Sequence, residues 1–394
     1  MTAYPEKQVA ITGIGQSEVY RGAPVSALTL TVDAVLEAIA DAGLTPADID
    51  GLSCWPGPDN DASGFGPVGV QMLQDALRLK LNWYAGGREA PGQFGAAFNA
   101  IGALSAGLAR HVVVFRTVYE ATARKTAYAN SLIKGDRMAN AMRWYAPYYF
   151  YSAVSQQGLF FARYVHESGI KPEQVAQIAL NGRRNAMLNP KALYRTPMTL
   201  DDYMASPMIS TPLRLFDCDV PCDGATAIVL SRVEEAKDMP NPVVRFEAVG
   251  SAMKRRNSWD QHDALAQQVL PTCAEMMWSR TDMTPDDVDF CELYDGFTYH
   301  SIVSLEALGF CKPLEGGDFI GDGSRISLTG DLPINTNGGA LSAGRMHAYG
   351  QVHEACVQLW NRGGARQIPG KDVKIAALTT GGGPLGGCML LARD

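Results

Sequence analysis

The strongest constraint on the fold is a seven-residue pattern that occurs twice in the chain. It reads LTPADID at 44–50 and MTPDDVD at 283–289. Each copy follows a helix-like stretch and precedes a short apolar run that ends near a cysteine. Strand-like apolar segments flank both copies in the same order, at 8–15 and 111–118 for the first copy and at 242–250 and 372–383 for the second. Both halves of the chain therefore read β–α–β–α–β.

Strands that alternate with helices predict parallel sheets with helices on both faces. Two copies of this unit predict a pseudo-twofold α/β sandwich. Thr-Pro-x-Asp is also a common start of a helix, so coincidence is the alternative, but four elements that align in order favour a duplication. We expect an N-terminal half formed by 1–118 and 216–240, an inserted segment at 119–215, and a C-terminal half at 241–394.

Two segments of the first half have an unusual composition. Nine aromatic residues between 141 and 164 predict a core, a subunit interface or the wall of an apolar substrate tunnel. The sequence AAFNAIGALSAGLARH at 96–111 predicts a helix with small residues on several faces, squeezed between two sheets. Its N-terminus at 92–95 would point free N–H groups into a pocket, and His111 at its end is interpreted as a partner of the helix dipole.

Composition excludes several classes of protein. The net charge is −7 without a long basic run, which argues against a nucleic-acid partner. No stretch approaches the ~18 consecutive apolar residues of a membrane span, and the first residues lack the pattern of a secretion signal. Eight scattered cysteines are typical of reduced, buried thiols in a cytoplasmic protein. Cys218 and Cys222, the only close pair, lack nearby partners for zinc, so we expect no metal site.

Five motifs, in order along essentially the whole chain, resemble those of the thiolase superfamily. They are REAPGQFGAA (88–97), DCDVPCDGATAIVL (217–230), ELYDGF (292–297), NTNGGALSAGRMHAYG (335–350) and TTGGGPLGG (379–387). The resemblance implies an α/β fold of duplicated βαβαβ halves, layered αβαβα, with a helical loop domain inserted in the first half.

The chain departs from this family where thiolases carry their catalytic side chains. Gly92 stands in place of the nucleophilic cysteine, Arg345 in place of the histidine that activates it, and Thr379 in place of the second cysteine. Tyr294 replaces the asparagine of the third motif. Because a glycine cannot form an acyl-enzyme, we expect no thiolytic or condensing ping-pong chemistry.

Backbone donors of an oxyanion hole survive these losses, since the N–H groups of Gly92 and Gly381 would converge on a thioester oxygen. An enolate hole without a nucleophile suits a retro-aldol or aldol reaction beside a thioester. This reaction needs a base for the β-hydroxyl and an acid for Cα. Tyr294 and Tyr349 are predicted to fill these roles, in either order, with core tyrosines as the alternative interpretation.

A tyrosine becomes a base only when N–H donors or a cation, such as Arg345, stabilise its phenolate. His347 is a third candidate for the site, and a loop that faces solvent is its alternative. Asp295 follows Tyr294 and is interpreted as an organiser of a helix end.

The loss of the thiolase cysteines and histidine together with the presence of the two tyrosines resembles one branch of the superfamily, the lipid-transfer-protein-like proteins near the sterol-carrier-protein-x thiolases. Within that branch the chain most resembles the steroid side-chain aldolases of actinobacterial cholesterol degradation. That resemblance implies cleavage of 17-hydroxy-3-oxo-pregnene-20-carboxyl-CoA to a 17-ketosteroid and propionyl-CoA, with the CoA thioester as substrate and no cofactor. It also implies a homodimer through the thiolase fold and a small OB-fold acyl-CoA-binding partner, in an α2β2 assembly.

Two other functions stay open from the sequence. An acyltransferase of the phloroglucinol type needs a nucleophile, for which Cys54 at the end of a predicted strand would be the candidate. A non-catalytic homologue that binds acyl-CoA or lipid is compatible with the lost thiolase residues. The tyrosines at 294 and 349 favour an enzyme.

Overall fold

The structure is a computed structural model that describes residues 4–58, 64–87, 90–127, 146–148, 150, 152–253, 269–381 and 385–394. Strands in these residues are β1 (Val9–Gln16), β2 (Gly51–Cys54), β3 (Trp83–Gly86), β4 (His111–Tyr119), β5 (Met208–Ser210), β6 (Leu213–Arg214), β7 (Asp223–Arg232), β8 (Val244–Ala252), β9 (Phe290–Glu292), β10 (Ile375–Gly381) and β11 (Gly386–Arg393).

The α-helices of the same residues alternate with these strands in each half. They are α1 (Ala27–Asp41), α2 (Val70–Leu77), α3 (Gly95–Ser105), α4 (Glu120–Ala127), α5 (Ala153–Ser168), α6 (Pro172–Met187), α7 (Leu200–Ala205), α8 (Val233–Ala236), α9 (Leu270–Trp278), α10 (Thr298–Ala307), α11 (Gly316–Ile320) and α12 (Tyr349–Leu359). None of them is both long and apolar enough to cross a membrane.

Nine of the described strands form one sheet, in the order β3-β2-β4-β7-β1-β8-β11-β10-β9. From the central pair β1 and β8 outwards, the two sides of the sheet repeat each other. The strand β1 corresponds to β8, β7 to β11, β4 to β10 and β2 to β9. The predicted duplication is therefore confirmed, and the two halves join edge to edge where Ala10 and Ile11 pair with Arg245 and Val244.

The repeated sequence pattern forms the same local structure in both halves. Each copy is a short 3₁₀ turn, Pro46–Asp48 and Pro285–Asp287, that leads directly into β2 or β9. The backbone N–H of Thr45 donates to the Asp48 carboxylate at 2.8 Å, and Thr284 donates to Asp287 at the same distance. The pattern thus caps a turn before a strand, and it does not begin a helix.

The expectation of parallel sheets is wrong for most strand pairs. The strand β2 is parallel to β3 and β4, and β9 is parallel to β10. The strands β7 and β11, however, are antiparallel to both of their neighbours. The reason is clearest for β11, which follows β10 after only four residues, because a parallel return would need a crossover segment of a dozen residues or more.

Helices cover both faces of the sheet. Along β4, Val112 and Val114 pack in the core of the inner helices α3 and α12, whereas Val113 and Phe115 pack in the core of α1. This alternation follows from the two-residue period of a strand. The helix α12 contacts strands of both halves, so it lies in an inner layer, and its first residue is Tyr349.

The small-residue helix is less enclosed than predicted. The helix α3 buries Ala96, Ala97 and Ala100 against the sheet, but Gly102 and Ala106 are exposed. Strands of the first half line its length, whereas β10 and β11 meet chiefly the turn before its first residue. The small residues therefore permit close packing on one side only.

The inserted segment packs on the second half of the sheet. Phe160, Phe161 and Tyr164 of α5 are buried in one core with α10, and the Tyr164 hydroxyl donates to the Glu306 carboxylate. Tyr148 is exposed. The other aromatic residues of 141–151, apart from position 150, lie outside the described residues. The predicted domain boundaries remain predictions; β4 ends at 119 and the sheet resumes with β7 at 223.

Candidate active site

Gly92 begins the 3₁₀ turn that leads into α3, in a backbone conformation that favours glycine. Its φ is +55°, in the left-handed region. A Cβ atom at this position would lie 3.4 Å from Cγ2 of Thr380 and 3.5 Å from Cα of Gly386, which are ordinary contacts. A Cβ atom would therefore fit at the place predicted for a nucleophile, but the positive φ would strain any residue other than glycine there.

The structure brings the two predicted oxyanion glycines together. Gly381 pairs with Gly386 between β10 and β11, and Gly386 contacts Gly92. Beside them, the Thr380 hydroxyl donates to the Gln93 side-chain oxygen, which ties this turn to β10. Whether both N–H groups bind one thioester oxygen stays a prediction. The next two glycines, 382 and 383, lie outside the described residues.

Thr379, in the place of the second thiolase cysteine, is a buried scaffold residue. Its Oγ1 accepts a hydrogen bond from the backbone N–H of Tyr294 at 3.3 Å and lies 3.0 Å from Oγ of Ser304. A threonine hydroxyl has no acid–base role near neutral pH. Its position nevertheless fixes the backbone of Tyr294, two residues beyond the end of β9.

Tyr294 lies at the carboxyl end of β9 and is 8% exposed. Its ring stacks on His300, with centroids 5.7 Å apart and planes 22° apart. Burial raises the pKa of the Tyr294 phenol, and the Asp219 carboxylate raises it further, whereas Arg345 acts to lower it. Tyr294 is therefore a neutral phenol in a negatively charged setting, which suits a proton donor.

Tyr349 begins α12 and is fully buried, and its hydroxyl has no hydrogen-bond partner among the described residues. Burial raises the pKa of this phenol as well, but its charged neighbour is a cation, Arg116, which acts to lower it. Cys54 also lies nearby, and burial raises the pKa of that thiol to about 11, so it is uncharged at neutral pH. An unpartnered buried hydroxyl is costly and is a common sign of a functional site.

His347 is 4% exposed, so the alternative of a solvent-facing loop is wrong. Both His347 and Ala348 have positive φ, 49° and 67°, a strained conformation that turns the chain into α12. Nη2 of Arg116 donates to Nδ1 of His347 at 2.8 Å, which places the ring proton on Nε2. Burial and Arg116 hold the pKa of His347 well below its usual range, so this neutral ring is a donor and not a base.

Arg345 does not supply the free cation that the sequence suggested. Its Nε lies 3.0 Å from a Glu120 oxygen and its Nη1 lies 3.0 Å from an Asp219 oxygen. Burial acts to lower the pKa of Arg345, but the two carboxylates outweigh it and raise the pKa. Its charge is thus compensated by two buried anions, and the phenolate-stabilising role expected for Arg345 is not supported.

Arg116 on β4 is the cation of the site, although it lies in none of the five motifs of the sequence. The side chain is 1% exposed and lies over the rings of Trp55 and Phe65, 5.3 and 4.7 Å from their centroids. Its hydrogen bonds go to the Thr117 carbonyl and to His347 and, among the described residues, none goes to a carboxylate, although Glu120 is near enough to act on its charge. Burial lowers its pKa to about 10, which leaves it protonated at neutral pH. The available signal was an arginine inside the otherwise apolar run HVVVFRTV.

Polar atoms around Arg116 lack partners. Nε of Arg116, Nε1 of Trp55 and the hydroxyl of Tyr349 are all buried without a hydrogen bond. Nearly all buried polar groups in proteins are satisfied, so three unsatisfied ones in one cluster indicate a place that a polar ligand completes.

Asp295 binds the start of a π-helical turn, which agrees with its interpretation as an organiser of a helix end. Its carboxylate accepts from the backbone N–H groups of Ala340 and Leu341, at 2.7 and 3.2 Å, at the start of the π turn Gly339–Ala343. Burial raises its pKa to about 6.

The interpretation of His111 is wrong, because its Nδ1 lies 2.8 Å from the Ser231 hydroxyl within the sheet and not at the end of a helix. No group of three or more potential metal ligands occurs in the described ranges.

Comparisons with known proteins agree with the resemblance that the five motifs indicate. A family model described as thiolase C-terminal domain-like matches residues 250–390. A steroid side-chain-cleaving aldolase of Thermomonospora curvata is 33% identical over 393 residues, which cover 98% of each chain. The 17-hydroxy-3-oxo-4-pregnene-20-carboxyl-CoA lyase of Mycobacterium tuberculosis is 32% identical over 387 residues, 94% of each chain.

Solved structures agree. The Ltp2–ChsH2(DUF35) aldolase superposes with a TM-score of 0.87 at 29% identity over 98% of both chains. An acetyl-CoA acetyltransferase of Syntrophomonas wolfei has a TM-score of 0.69 at 15% identity, over 98% of this chain and all of the other, which shows a shared fold alone.

Proposed function

This chain belongs to the family of the steroid side-chain-cleaving aldolases within the thiolase superfamily, and we propose that it cleaves a 17-hydroxy-3-oxo-pregnene-20-carboxyl-CoA thioester to a 17-ketosteroid and propionyl-CoA. It is an aldolase, a carbon–carbon lyase with a thiolase fold. The observation that carries the proposed chemistry is a pair of buried tyrosines, Tyr294 and Tyr349, that both interact electrostatically with Arg116 in a chain that has Gly92 in place of a nucleophile.

The reaction moves one proton at each end of the bond that breaks. A base takes the proton of the β-hydroxyl, the Cα–Cβ bond breaks, and its electron pair passes into the thioester as an enolate. The former hydroxyl carbon becomes the ketone. An acid then protonates Cα, which gives the shorter acyl-CoA. The N–H groups of Gly92 and Gly381 would stabilise the enolate oxygen, and such a donor contributes about 3–4 kcal/mol.

The charged surroundings support one assignment of the two roles. Ionisation of Tyr349 would place a phenolate beside Arg116. Ionisation of Tyr294 would instead place a phenolate beside Asp219, whose charge opposes it more strongly than Arg345 favours it. Tyr349 is therefore the base for the hydroxyl and Tyr294 the acid for Cα. His347 accepts a hydrogen bond from Arg116, holds it in position and carries its own ring proton on Nε2.

Partners of the reaction follow from the relatives. We propose that the chain forms a homodimer and works with a small OB-fold acyl-CoA-binding protein in an α2β2 assembly. The complex named in the Ltp2–ChsH2(DUF35) structure supports such a partner. We also propose that the reaction needs no metal or other cofactor. A cytoplasmic location would suit the eight cysteines, all of which are free and mostly buried.

Cleavage by the purified chain with its partner protein tests the proposed function. A tertiary β-hydroxyacyl-CoA that carries a methyl group on Cα should yield propionyl-CoA and the corresponding ketone in equal amounts. Intact-mass spectrometry of the same mixture should show no acyl adduct, because Cys54 is buried with a raised pKa. A stoichiometric acyl adduct on Cys54 would favour the acyltransferase instead, and failure of every such thioester to cleave would favour the non-catalytic homologue.

A further inference from the structure

A cavity of about 540 Å³ lies next to the candidate active site. Arg345 and Asp219, the ion pair beside Tyr294, form part of its wall together with Phe297. Its volume is within the range of pockets that hold small molecules of drug size. The cavity thus adjoins Tyr294, which would act at one end of the bond that breaks.

The lining of this cavity is mostly apolar. Val220 and Leu341 line it on the side of the core, and Ile209 and Leu215 line it near the hairpin of β5 and β6. Ile209 and Leu215 are 47% and 45% exposed, so two large aliphatic side chains are left facing open space. Binding of an apolar ligand would remove this surface from water.

One buried arginine supplies a polar contact in the apolar wall. Arg183 of α6 is 7% exposed, and its guanidinium lies over the rings of Tyr194 and Phe216, 5.3 and 5.7 Å from their centroids. Its Nε donates to Oγ of Ser342 and its Nη1 donates to the Thr196 carbonyl, both at 3.1 Å. These bonds are all that the described part of the chain gives it, so Nη2 is left for a ligand in the cavity.

We propose that this cavity binds the fused rings of the steroid and that Nη2 of Arg183 donates a hydrogen bond to the 3-oxo oxygen. This proposal rests on the proposed function, which supplies the chemistry of the ligand. A neutral polycyclic ketone matches a wall that is mostly apolar and in which the buried Arg183 pairs with no carboxylate of the described residues.

The binding test uses free steroid ketones, so it does not depend on cleavage. Dissociation constants would be measured by calorimetry on the full chain with its partner, for a 3,17-diketosteroid and for the 17-ketosteroid that lacks the 3-oxo group. We expect the wild type to prefer the diketone by about tenfold or more, because a hydrogen bond to a charged donor is lost with the other ligand. Arg183→Met should abolish this preference.

Two further variants separate the hydrogen bond of Arg183 from the contribution of the apolar wall. Arg184→Met changes the neighbouring arginine, which is exposed and does not line the cavity, and should behave as the wild type. Ile209→Asp alters an exposed position, so folding is spared, and should weaken both ketones at least tenfold. An unchanged preference in Arg183→Met, or unchanged binding in Ile209→Asp, would overturn the proposal. Ketone binding without thioester cleavage would overturn the proposed function and leave the cavity assignment standing.

Discussion

Tyr349→Phe should lower kcat for cleavage by about 10²–10⁴-fold, the usual contribution of a positioned acid or base. Its melting temperature should not fall, since the deleted hydroxyl has no hydrogen-bond partner in the structure. Removal of an unsatisfied buried polar group is neutral or stabilising, in contrast to removal of a bonded one. Steady-state kinetics and thermal unfolding of the same preparation measure both quantities.

A second buried tyrosine provides the matched control. Tyr164 donates to the Glu306 carboxylate in the core of α5 and α10, and neither residue takes part in the proposed proton transfers. Tyr164→Phe should therefore retain activity and lose about 1–3 kcal/mol of stability. If Tyr349→Phe kept full turnover, or if it lost activity only together with its melting transition, Tyr349 would be a core residue and not the base.

Arg116→Met should lower kcat by about 10²-fold or more and move its pH dependence. The base must be deprotonated, so the rate rises with pH through the pKa of Tyr349. Burial holds that pKa above its usual value, and Arg116 acts to lower it. Loss of the cation raises the pKa further, so the rising limb of the kcat profile should shift to higher pH. A mere loss of packing would lower kcat without moving that limb.

Two arginine variants accompany this measurement. Arg116→Lys keeps a positive charge and should retain more activity than Arg116→Met, with a smaller shift of the limb. Arg110→Met alters an exposed arginine, two-thirds accessible and paired with Glu235, and should leave the profile in place. A profile that is identical in wild type and Arg116→Met would refute the electrostatic role of Arg116.

The fold was predictable because its signals are local and repeated. The Thr-Pro-x-Asp turns, the apolar strands and their order can be found within short windows of sequence. Antiparallel β7 and β11 were not predictable in this way, because strand direction depends on which connections cross the sheet. The open side of α3 was missed for a similar reason: small residues at Gly102 and Ala106 show that close packing is possible, but not that a neighbour is present.

The candidate site was only partly predictable. The order of the motifs along the chain indicates the positions of Tyr294, Tyr349 and Gly92. The electrostatics depended on contacts between distant segments, since Arg345 meets Glu120 and Asp219 while Arg116 meets His347. No short window of sequence contains both members of such a pair. The motifs therefore indicated Arg345, and not Arg116, as the cation beside the tyrosines.

Hydrogen exchange at Cα of propionyl-CoA shows whether phenols perform the proton transfers in this thiolase fold, which lacks the catalytic thiol. By microscopic reversibility, the acid that protonates Cα removes a proton from it in the reverse direction. In deuterated buffer with the partner protein, mass spectrometry should show deuterium entering Cα with the wild type. Tyr294→Phe should lose this exchange far more than Tyr349→Phe, because the hydroxyl base is not needed for it. Exchange at the wild-type rate in Tyr294→Phe would show that Tyr294 is not the acid that protonates Cα.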